Sequence, residues 1–182
     1  MLICGLDRSS FSLHQDTSFL NFIKATVSID SELFDHITER ARKSPRLRIN
    51  FNFHELDDPP NRMLNSIEPE SYILPHCHLE PPLDEAFLVL RGLGAVLLFN
   101  DHGLVERILP LCVKTCQLGA DIPAGWYHTI VSLETGSVFY EVKAGPYDPK
   151  HLKDFAPWAP PEGSSEARNF LASLKKLAGD IY

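Results

Sequence analysis

Three histidines and one glutamate have the types and spacing of a metal-binding site. His76 and His78 are two residues apart, and strand side chains alternate between faces, so both imidazoles would lie on one side of a strand. Glu85 begins the next apolar run, and a Pro-x-Gly turn starting at Pro123 precedes His128. Three neutral imidazoles and one carboxylate suit a divalent first-row transition metal. We therefore predict that these four side chains converge on a single ion, for which iron, manganese, nickel, zinc and cobalt are all suitable.

The order of these residues resembles the two sequence motifs of the cupin superfamily. The first motif has a His-x-His pair, then a glutamate, then six residues and a glycine, and the second has Pro-x-Gly, two residues and a histidine. The matching residues are His76, His78, Glu85, Gly92, Pro123, Gly125 and His128. The resemblance implies an all-β fold, the double-stranded β-helix or jelly-roll barrel, with these histidines and the glutamate as metal ligands.

The acidic ligand has alternatives. Six residues separate His78 from Glu85, whereas the cupin motif has three or four at this point. A longer loop could place a different carboxylate against the histidines. Asp84 and Glu80 therefore remain rivals to Glu85 for the fourth position.

Further segments resemble the WbuC-type cupin-fold metalloproteins, a family named from bacterial surface-polysaccharide gene clusters. These segments are residues 61–65, 71–73, 87–92, 141–143 and 145–147. The resemblance covers roughly residues 28–160. It implies a metal-dependent enzyme, isomerase- or epimerase-like, that acts on a small polar, sugar-related substrate in surface-polysaccharide biosynthesis.

Two other functions remain open at this point. A cupin dioxygenase would need iron or a comparable redox-active metal at the same ligands. A non-catalytic ligand-binding or regulatory cupin would bind a small polar molecule without turnover. Fold alone does not choose among these functions.

Four other side chains are candidates for contact with the substrate. Tyr72 would share the face of the two histidines if one strand ran through all three residues, and its hydroxyl could then reach a ligand. Arg62 would bind a substrate anion or pair with an acid at the barrel rim, because an unpaired cation inside an apolar barrel is costly. Glu141 and Lys143 share one face of a late strand.

The elements that must position these residues are mostly short strands. Apolar runs broken by turn residues at roughly 8–12-residue spacing are typical of a sandwich or barrel. The predicted strands are residues 49–53, 63–67, 72–78, 85–91, 95–99, 104–109, 113–118, 127–131 and 138–143. A helix should run from a cap at Asp30 or Ser31 to about Lys43, since the residue before Pro45 avoids the helical region.

Three stretches of one structural domain are predicted. Residues 1–45 form an arm and a helix packed on the barrel, residues 46–145 form the cupin barrel, and residues 146–182 form a proline-rich segment and a final helix. The proline-rich segment contains too many prolines for a central strand, so we expect it to lie along the barrel surface. The final helix is predicted from about residue 165 to 178, with its apolar residues on one side.

Charge and hydropathy limit the partners. The chain has 17 basic and 24 acidic residues, a net charge of −7, which argues against electrostatic binding of nucleic acid. No apolar stretch approaches the roughly 20 residues needed to span a bilayer, and the start lacks the pattern of a signal peptide. We expect a cytoplasmic protein without membrane contact, whose four cysteines stay reduced.

A homodimer is also expected. Antiparallel sandwiches leave edge strands that must be paired or covered, and residues 49–53 alternate in polarity near the start of the barrel. The flanking helix and the proline-rich segment add apolar surface. Cupins commonly pair through such elements, so the resemblance points the same way. The alternative is a monomer whose own arm, residues 1–27, caps the edge.

Overall fold

The computed structural model describes residues 26–146 and 153–182. Its two helices are α1 (Ser31–Lys43) and α2 (Ser165–Gly179). Its strands are β1 (Arg48–Asn52), β2 (Pro60–Ile67), β3 (His76–Cys77), β4 (Glu85–Arg91), β5 (Leu93–Phe99), β6 (Val105–Cys112), β7 (Gly119–Ile122), β8 (Tyr127–Ser132), β9 (Ser137–Ala144) and β10 (Asp154–Phe155). Most of the predicted N-terminal arm, with Cys4, lies outside the described residues. Within them, no helix is long and apolar enough to cross a bilayer.

The strands form two antiparallel sheets of five. Sheet one has the order β1-β2-β9-β4-β7, and sheet two has the order β10-β3-β8-β5-β6. The chain changes sheet at every connection from β2 to β10 except the one between β5 and β6. This winding between two facing sheets is a jelly roll, the double-stranded β-helix arrangement. The predicted all-β fold with flanking helices is confirmed.

Helix α1 covers the outer face of sheet one. Its N-cap, Asp30, accepts a hydrogen bond from the backbone N–H of Leu33 at 3.0 Å, and the chain turns extended at Ser44, before the proline. Ile37 is fully buried against Leu64 and Val138, which point outward from β2 and β9. The helix therefore hides the apolar outer surface that an isolated sheet would expose.

Helix α2 covers the outer face of sheet two in the same way. Ser164 caps it by accepting from the N–H of Ala167 at 3.1 Å. Leu171 and Leu174 pack against the outward side chains of β5, Leu97 and Phe99. Because the inward side chains of β5 are apolar as well, that strand is buried on both faces.

The core between the sheets occupies one half of their interior. Its fully or nearly fully buried members are Ile67, Phe87, Val89, Val96, Leu98, Leu111, Ile122, Ile130 and Phe139. They come from both sheets and alternate along each strand with outward residues, as a sandwich requires. The other half of the interior is polar and open.

Two predicted strands differ from the observed ones. Residues 113–116 form a tight turn rather than a strand, with Cys116 in the left-handed region at φ 58° and reciprocal backbone hydrogen bonds between Cys112 and Gln117 at 2.8 and 3.1 Å. The strand predicted over residues 72–78 is limited to β3. It pairs with β10, a short strand in the predicted proline-rich segment that the sequence did not reveal. Cys77, Cys112 and Cys116 are free thiols.

Candidate metal centre

The four predicted ligands lie together between the two sheets. His76 on β3 is directly opposite His128 on β8, and Glu85 comes from β4 on the facing sheet. With His78, which follows β3, each offers one ligand atom, and these atoms lie within 4.8 Å of one another. All four side chains are almost completely buried. Three separate regions of the chain thus supply one compact cluster of side chains whose types can bind a metal ion.

The turn before β8 explains how His128 reaches this position. Gly125 has φ +87°, a conformation that glycine adopts without strain, and its N–H donates to the carbonyl of His78 at 3.2 Å. Asp84 accepts from the N–H of Ala124 at 2.8 Å. Asp84 thus anchors the turn and does not join the cluster, and Glu80 is exposed in the loop. Among the acids considered, only Glu85 faces the histidines.

Backbone carbonyls set the orientation of two imidazoles. Nδ1 of His76 lies 3.0 Å from the carbonyl oxygen of Leu74, and Nδ1 of His128 lies 2.9 Å from that of Trp126. A carbonyl can only accept, so each Nδ1 carries the proton and each Nε2 presents a lone pair to the centre. Nε2 of His76 is buried with no hydrogen-bond partner among the described residues. Metal-binding histidines are held in this way, by a hydrogen bond from the nitrogen that does not ligate.

The contact between His128 and Glu85 requires a positive charge. Nε2 of His128 lies 3.0 Å from Oε2 of Glu85, and Nε2 of His78 lies 2.9 Å from Oε1. With Nδ1 of His128 protonated, a neutral ring would turn a lone pair toward a carboxylate oxygen. A second proton on the ring or a metal ion between the two atoms removes that repulsion. The donor set and its geometry fit one divalent metal ion, and the cluster could hold it.

Glu85 is ionised in this site. Burial by itself would raise the pKa of its carboxyl group, but hydrogen bonds from His128 and His78 and the charge of Lys143 outweigh burial and hold the pKa well below its usual range. Burial lowers the pKa of His76 well below its ordinary value, and the nearby charge of Lys153 adds to the effect. His76 is thus held neutral and Glu85 anionic, the protonation states in which these two groups bind metal.

Two of the predicted substrate-contact residues join this centre. Nζ of Lys143 donates to Oε1 of Glu85 at 2.8 Å and lies 2.9 Å from Oε1 of Glu141. The other oxygen of Glu141 accepts from the side-chain amide of Asn65 at 2.7 Å. Burial alone would lower the pKa of Lys143, but the carboxylates of Glu141 and Glu85 raise it, so the side chain stays protonated. This chain of contacts fixes the Glu85 carboxylate through Oε1, the oxygen that also contacts His78.

The other two predicted contact residues lie elsewhere, which corrects the prediction. The Tyr72 hydroxyl donates to the carbonyl of Pro160 at 3.0 Å, and its ring packs edge-on against Phe170 of α2. Residues 71–75 are not in a strand, so alternation from His76 does not extend to Tyr72. Arg62 lies between inward-facing residues of β2, points outward and donates to the carbonyl of Phe53 at 3.3 Å.

A cavity of about 640 Å³ opens onto the cluster. His76, Glu85 and His128 line it together with Glu141 and Lys143. Sequence reasoning missed a wall of side-chain amides on β1 and β2, composed of Asn50, Asn52, Asn61 and Asn65. The asparagines on each strand are an even number of residues apart, so they share a face, and this spacing was visible in the sequence. It indicates a common wall only once β1 and β2 are known to pair.

Comparison with protein-family models finds one match over residues 29–111, less than half of the chain, to a family described as a domain of unknown function, DUF6016. The matched stretch includes α1, His76, His78 and Glu85 but not His128. A comparison with curated protein sequences finds no significant match.

Solved structures with double-stranded β-helix folds are similar to the chain at low identity. An uncharacterized conserved protein with a double-stranded β-helix domain from Klebsiella pneumoniae is 18% identical, with a TM-score of 0.48 over 72% of this chain and 98% of that one. KdgF from Halomonas sp. is 18% identical, with a TM-score of 0.43 over 60% of this chain and 88% of that one.

The capsular polysaccharide assembling protein CapF from Staphylococcus aureus is 23% identical to the chain, with a TM-score of 0.44 over 62% of this chain. The chain spans only 32% of the length of CapF. Similarity at these levels concerns the fold and does not extend to a substrate or a partner.

Proposed function

We propose that the protein is a metal-dependent enzyme that acts on a small polar, sugar-related substrate. The observation that carries this proposal is the position of the buried His76, His78, Glu85 and His128 cluster at the wall of an open cavity. A structural metal site is closed, whereas a catalytic one keeps a position for substrate. Four side chains on a six-coordinate ion would leave two such positions.

The bound ion would supply Lewis acidity, polarising a carbonyl oxygen or lowering the pKa of a bound water. The chain's own residues have separate tasks. Lys143 and Glu141 hold the Glu85 carboxylate in place, while the carbonyls of Leu74 and Trp126 hold two imidazoles. Phe87 and Ile130, which line the cavity beside the cluster, exclude water from that wall.

The proposed sugar-related substrate has two supports. The sequence segments that resemble WbuC-type cupins favour a role in bacterial surface-polysaccharide biosynthesis. The amides of β1 and β2 that line the cavity can pair with hydroxyl groups, which donate and accept as amides do. Lipid or nucleic-acid ligands have no comparable support in this cavity.

The first test is metal analysis of protein purified without added metal or chelator, with a thermal-shift and turnover screen of nucleotide sugars, sugar acids and phosphosugars. We expect close to one transition-metal ion per chain and at least one converted compound. His128→Asn should lose the metal, whereas His102→Asn, a matched change in an exposed hairpin turn, should keep it. Equal metal content in both variants would contradict the proposal.

The same screen separates the alternatives. Iron in protein purified anaerobically, with oxygen uptake on addition of substrate, would assign the centre to dioxygenase chemistry. Saturable ligand binding without turnover would assign the chain to the non-catalytic cupins.

We also propose a homodimer. Strand β1 is an edge of sheet one, paired only with β2 among the described strands, which leaves backbone groups for a second copy. Light scattering at micromolar concentration should give twice the chain mass of 20.5 kDa. A single-chain mass would reject the dimer.

A further inference from the structure

The cavity differs in charge from the protein as a whole. The chain carries a net charge of −7, yet among the described residues four cationic and three anionic side chains line the cavity. A divalent ion at the proposed centre would make this space more positive still. The cavity therefore attracts an anion although the protein surface is acidic overall.

One lining cation is left without a counter-ion. Lys143 is paired with Glu85 and Glu141, and Arg46 and Arg48 both bind Glu162. Within residues 26–146 and 153–182, Lys153 has no ion pair. It precedes β10, lines the cavity and lies close enough to the centre that its charge helps to lower the pKa of His76. Because it lines an open space, the side chain remains accessible to solvent and to a ligand.

The part of the cavity wall formed by β1 and β2 is rich in side-chain amides. Asn50 and Asn65 face each other across the β1–β2 pair, with Asn52 and Asn61 on the same inner surface. Asn61 is only 2% exposed, yet its Oδ1 has no hydrogen-bond partner among the described residues. A buried acceptor left unpaired loses its hydrogen bonds to water without replacement, so the position favours a ligand that brings a donor.

Strand register fixes how far the amides are from the centre. Glu85 pairs with Lys143 across β4 and β9, and Lys143 pairs with Asn61 across β9 and β2, so these residues form one row. Neighbouring strands lie roughly 4.8 Å apart, which places Asn61 about 10 Å from Glu85. A small ligand can therefore contact the charged end and the amide wall at the same time.

We propose that the cavity binds a small polyhydroxylated carboxylate, with its carboxylate at the Lys153 and metal end and its hydroxyl groups on the amide wall. This inference rests on the proposed function for the metal and adds the ligand class. A hydroxyl group donates to Asn61 Oδ1 and accepts from the amides of Asn50 and Asn52, which a plain hydrocarbon chain cannot do. The carboxylate neutralises Lys153, which a neutral polyol cannot do.

Three six-carbon probes test the two ends separately. D-gluconate has the carboxylate and the hydroxyls, D-glucitol has the hydroxyls alone, and hexanoate has the carboxylate alone. Isothermal titration of the zinc-loaded protein should show gluconate binding at least about tenfold tighter than either of the others, the factor expected for one net hydrogen bond or ion contact. Zinc content is measured after each titration, so that removal of the metal by gluconate is detected.

Two variants test which end of the cavity binds the carboxylate and which binds the hydroxyl groups. Asn61→Leu should weaken gluconate about tenfold and leave hexanoate unchanged, and Lys153→Met should weaken gluconate while leaving glucitol unchanged. Asn169→Leu and Lys114→Met, at exposed positions far from the cavity, are the matched controls and should bind gluconate like the wild type. If Asn61→Leu fails to fold, Asn50→Ala on the exposed edge strand replaces it and should give the same pattern.

Hexanoate or glucitol binding as tightly as gluconate would overturn the inference, and so would wild-type protein that holds zinc but binds none of the three. In those cases the proposed metal site would still be supported, and only the proposed ligand class would be wrong. Failure of the wild-type protein to retain any metal would instead reject the proposed function itself.

Discussion

The two sheets enclose two regions that share a boundary but not a chemistry. The closed region is filled by residues such as Val89, Leu98 and Phe139, and the open region carries the candidate metal ligands, Lys143 and Glu141. The change takes place within single strands. Along β4 the inward positions run from Glu85 to Phe87 to Val89, and β9 runs from Lys143 through Glu141 to Phe139.

This difference indicates that the closed region contributes most of the stability, whereas the open region has the composition of a binding site. Apolar burial contributes about 25 cal/mol per Å², whereas buried charges stabilise little even when paired, because desolvation offsets their attraction. Glu85, Lys143 and Glu141 are paired and so are tolerated, but apolar residues of similar size would fold as well. The proposed metal and ligand would account for their presence, and the closed region supplies the stability that permits them.

The largest effect is expected in the closed region. Phe139→Ala should lower the free energy of unfolding by about 3–5 kcal/mol, because Phe139 is fully buried among residues of both sheets. Phe155→Ala, at the cavity mouth and 56% exposed, should cost under about 1 kcal/mol. Urea denaturation with metal bound to saturation measures both. Equal losses would show that the two regions do not differ in their contribution to stability.

A single change in the open region should be costly only without metal. Lys143→Met leaves Glu85 and Glu141 buried without their cation, and breaking a buried pair typically costs about 3 kcal/mol or more. A bound ion would neutralise Glu85 in place of lysine, so the loss should be smaller in the metal-loaded protein. Thermal and urea unfolding with and without chelator measure the difference.

The matched control for this change is Lys175→Met, which removes a surface ion pair with the exposed Glu70 and should cost under about 1 kcal/mol with or without metal. A loss in Lys143→Met that does not depend on metal would mean that the ion does not bind at Glu85.

The choice of acidic ligand sharpens the comparison further. Glu85→Gln should weaken metal binding by more than about tenfold. A tenfold loss of metal affinity is typical when a residue that only orients a ligand is replaced, and Glu85 is proposed to be a ligand itself. Asp84→Asn keeps an oxygen to accept from the Ala124 N–H, and Glu80→Gln changes an exposed loop, so both should bind metal like the wild type. Competition with a chromophoric chelator measures all three. Loss in Asp84→Asn or Glu80→Gln, with Glu85→Gln unchanged, would move the role to that acid.

The elements with strong local signals were predictable from the sequence. The apolar run that begins at Glu85 predicted β4 with its observed bounds, and Asp30 and Pro45 marked the ends of α1. The convergence of the ligands followed from two local facts, the two-residue spacing of His76 and His78 and the turn before His128. Each of these signals lies within a few residues of the feature that it predicts.

The features that depend on distant pairing were not predictable. Residues 113–116 have strand-forming side chains, but the chain reverses there with Cys116, not a glycine, in the left-handed conformation. Tyr72 lies in a segment outside any strand, where strand alternation does not apply. The amide wall needs Asn50 opposite Asn65, a register that no local pattern supplies.

The smallest expected effect is a pH dependence that belongs to the open region alone. Burial lowers the pKa of His76 well below its ordinary value of 6.5. Below pH 6.5 the unfolded chain therefore binds a proton that the folded protein does not, so the free energy of unfolding falls as the pH falls, and above that pH the group has no effect. The pKa of Glu85 is lowered from 4.5, so its own contribution is lost only at lower pH and does not overlap this window.

Urea unfolding of the chelator-treated protein between about pH 7.5 and 5 should show this loss of stability. His76→Gln, which cannot titrate, should reduce the slope, whereas His102→Gln in the exposed turn should keep it. An unchanged slope in His76→Gln would show that the imidazole takes up its proton as readily in the fold as outside it.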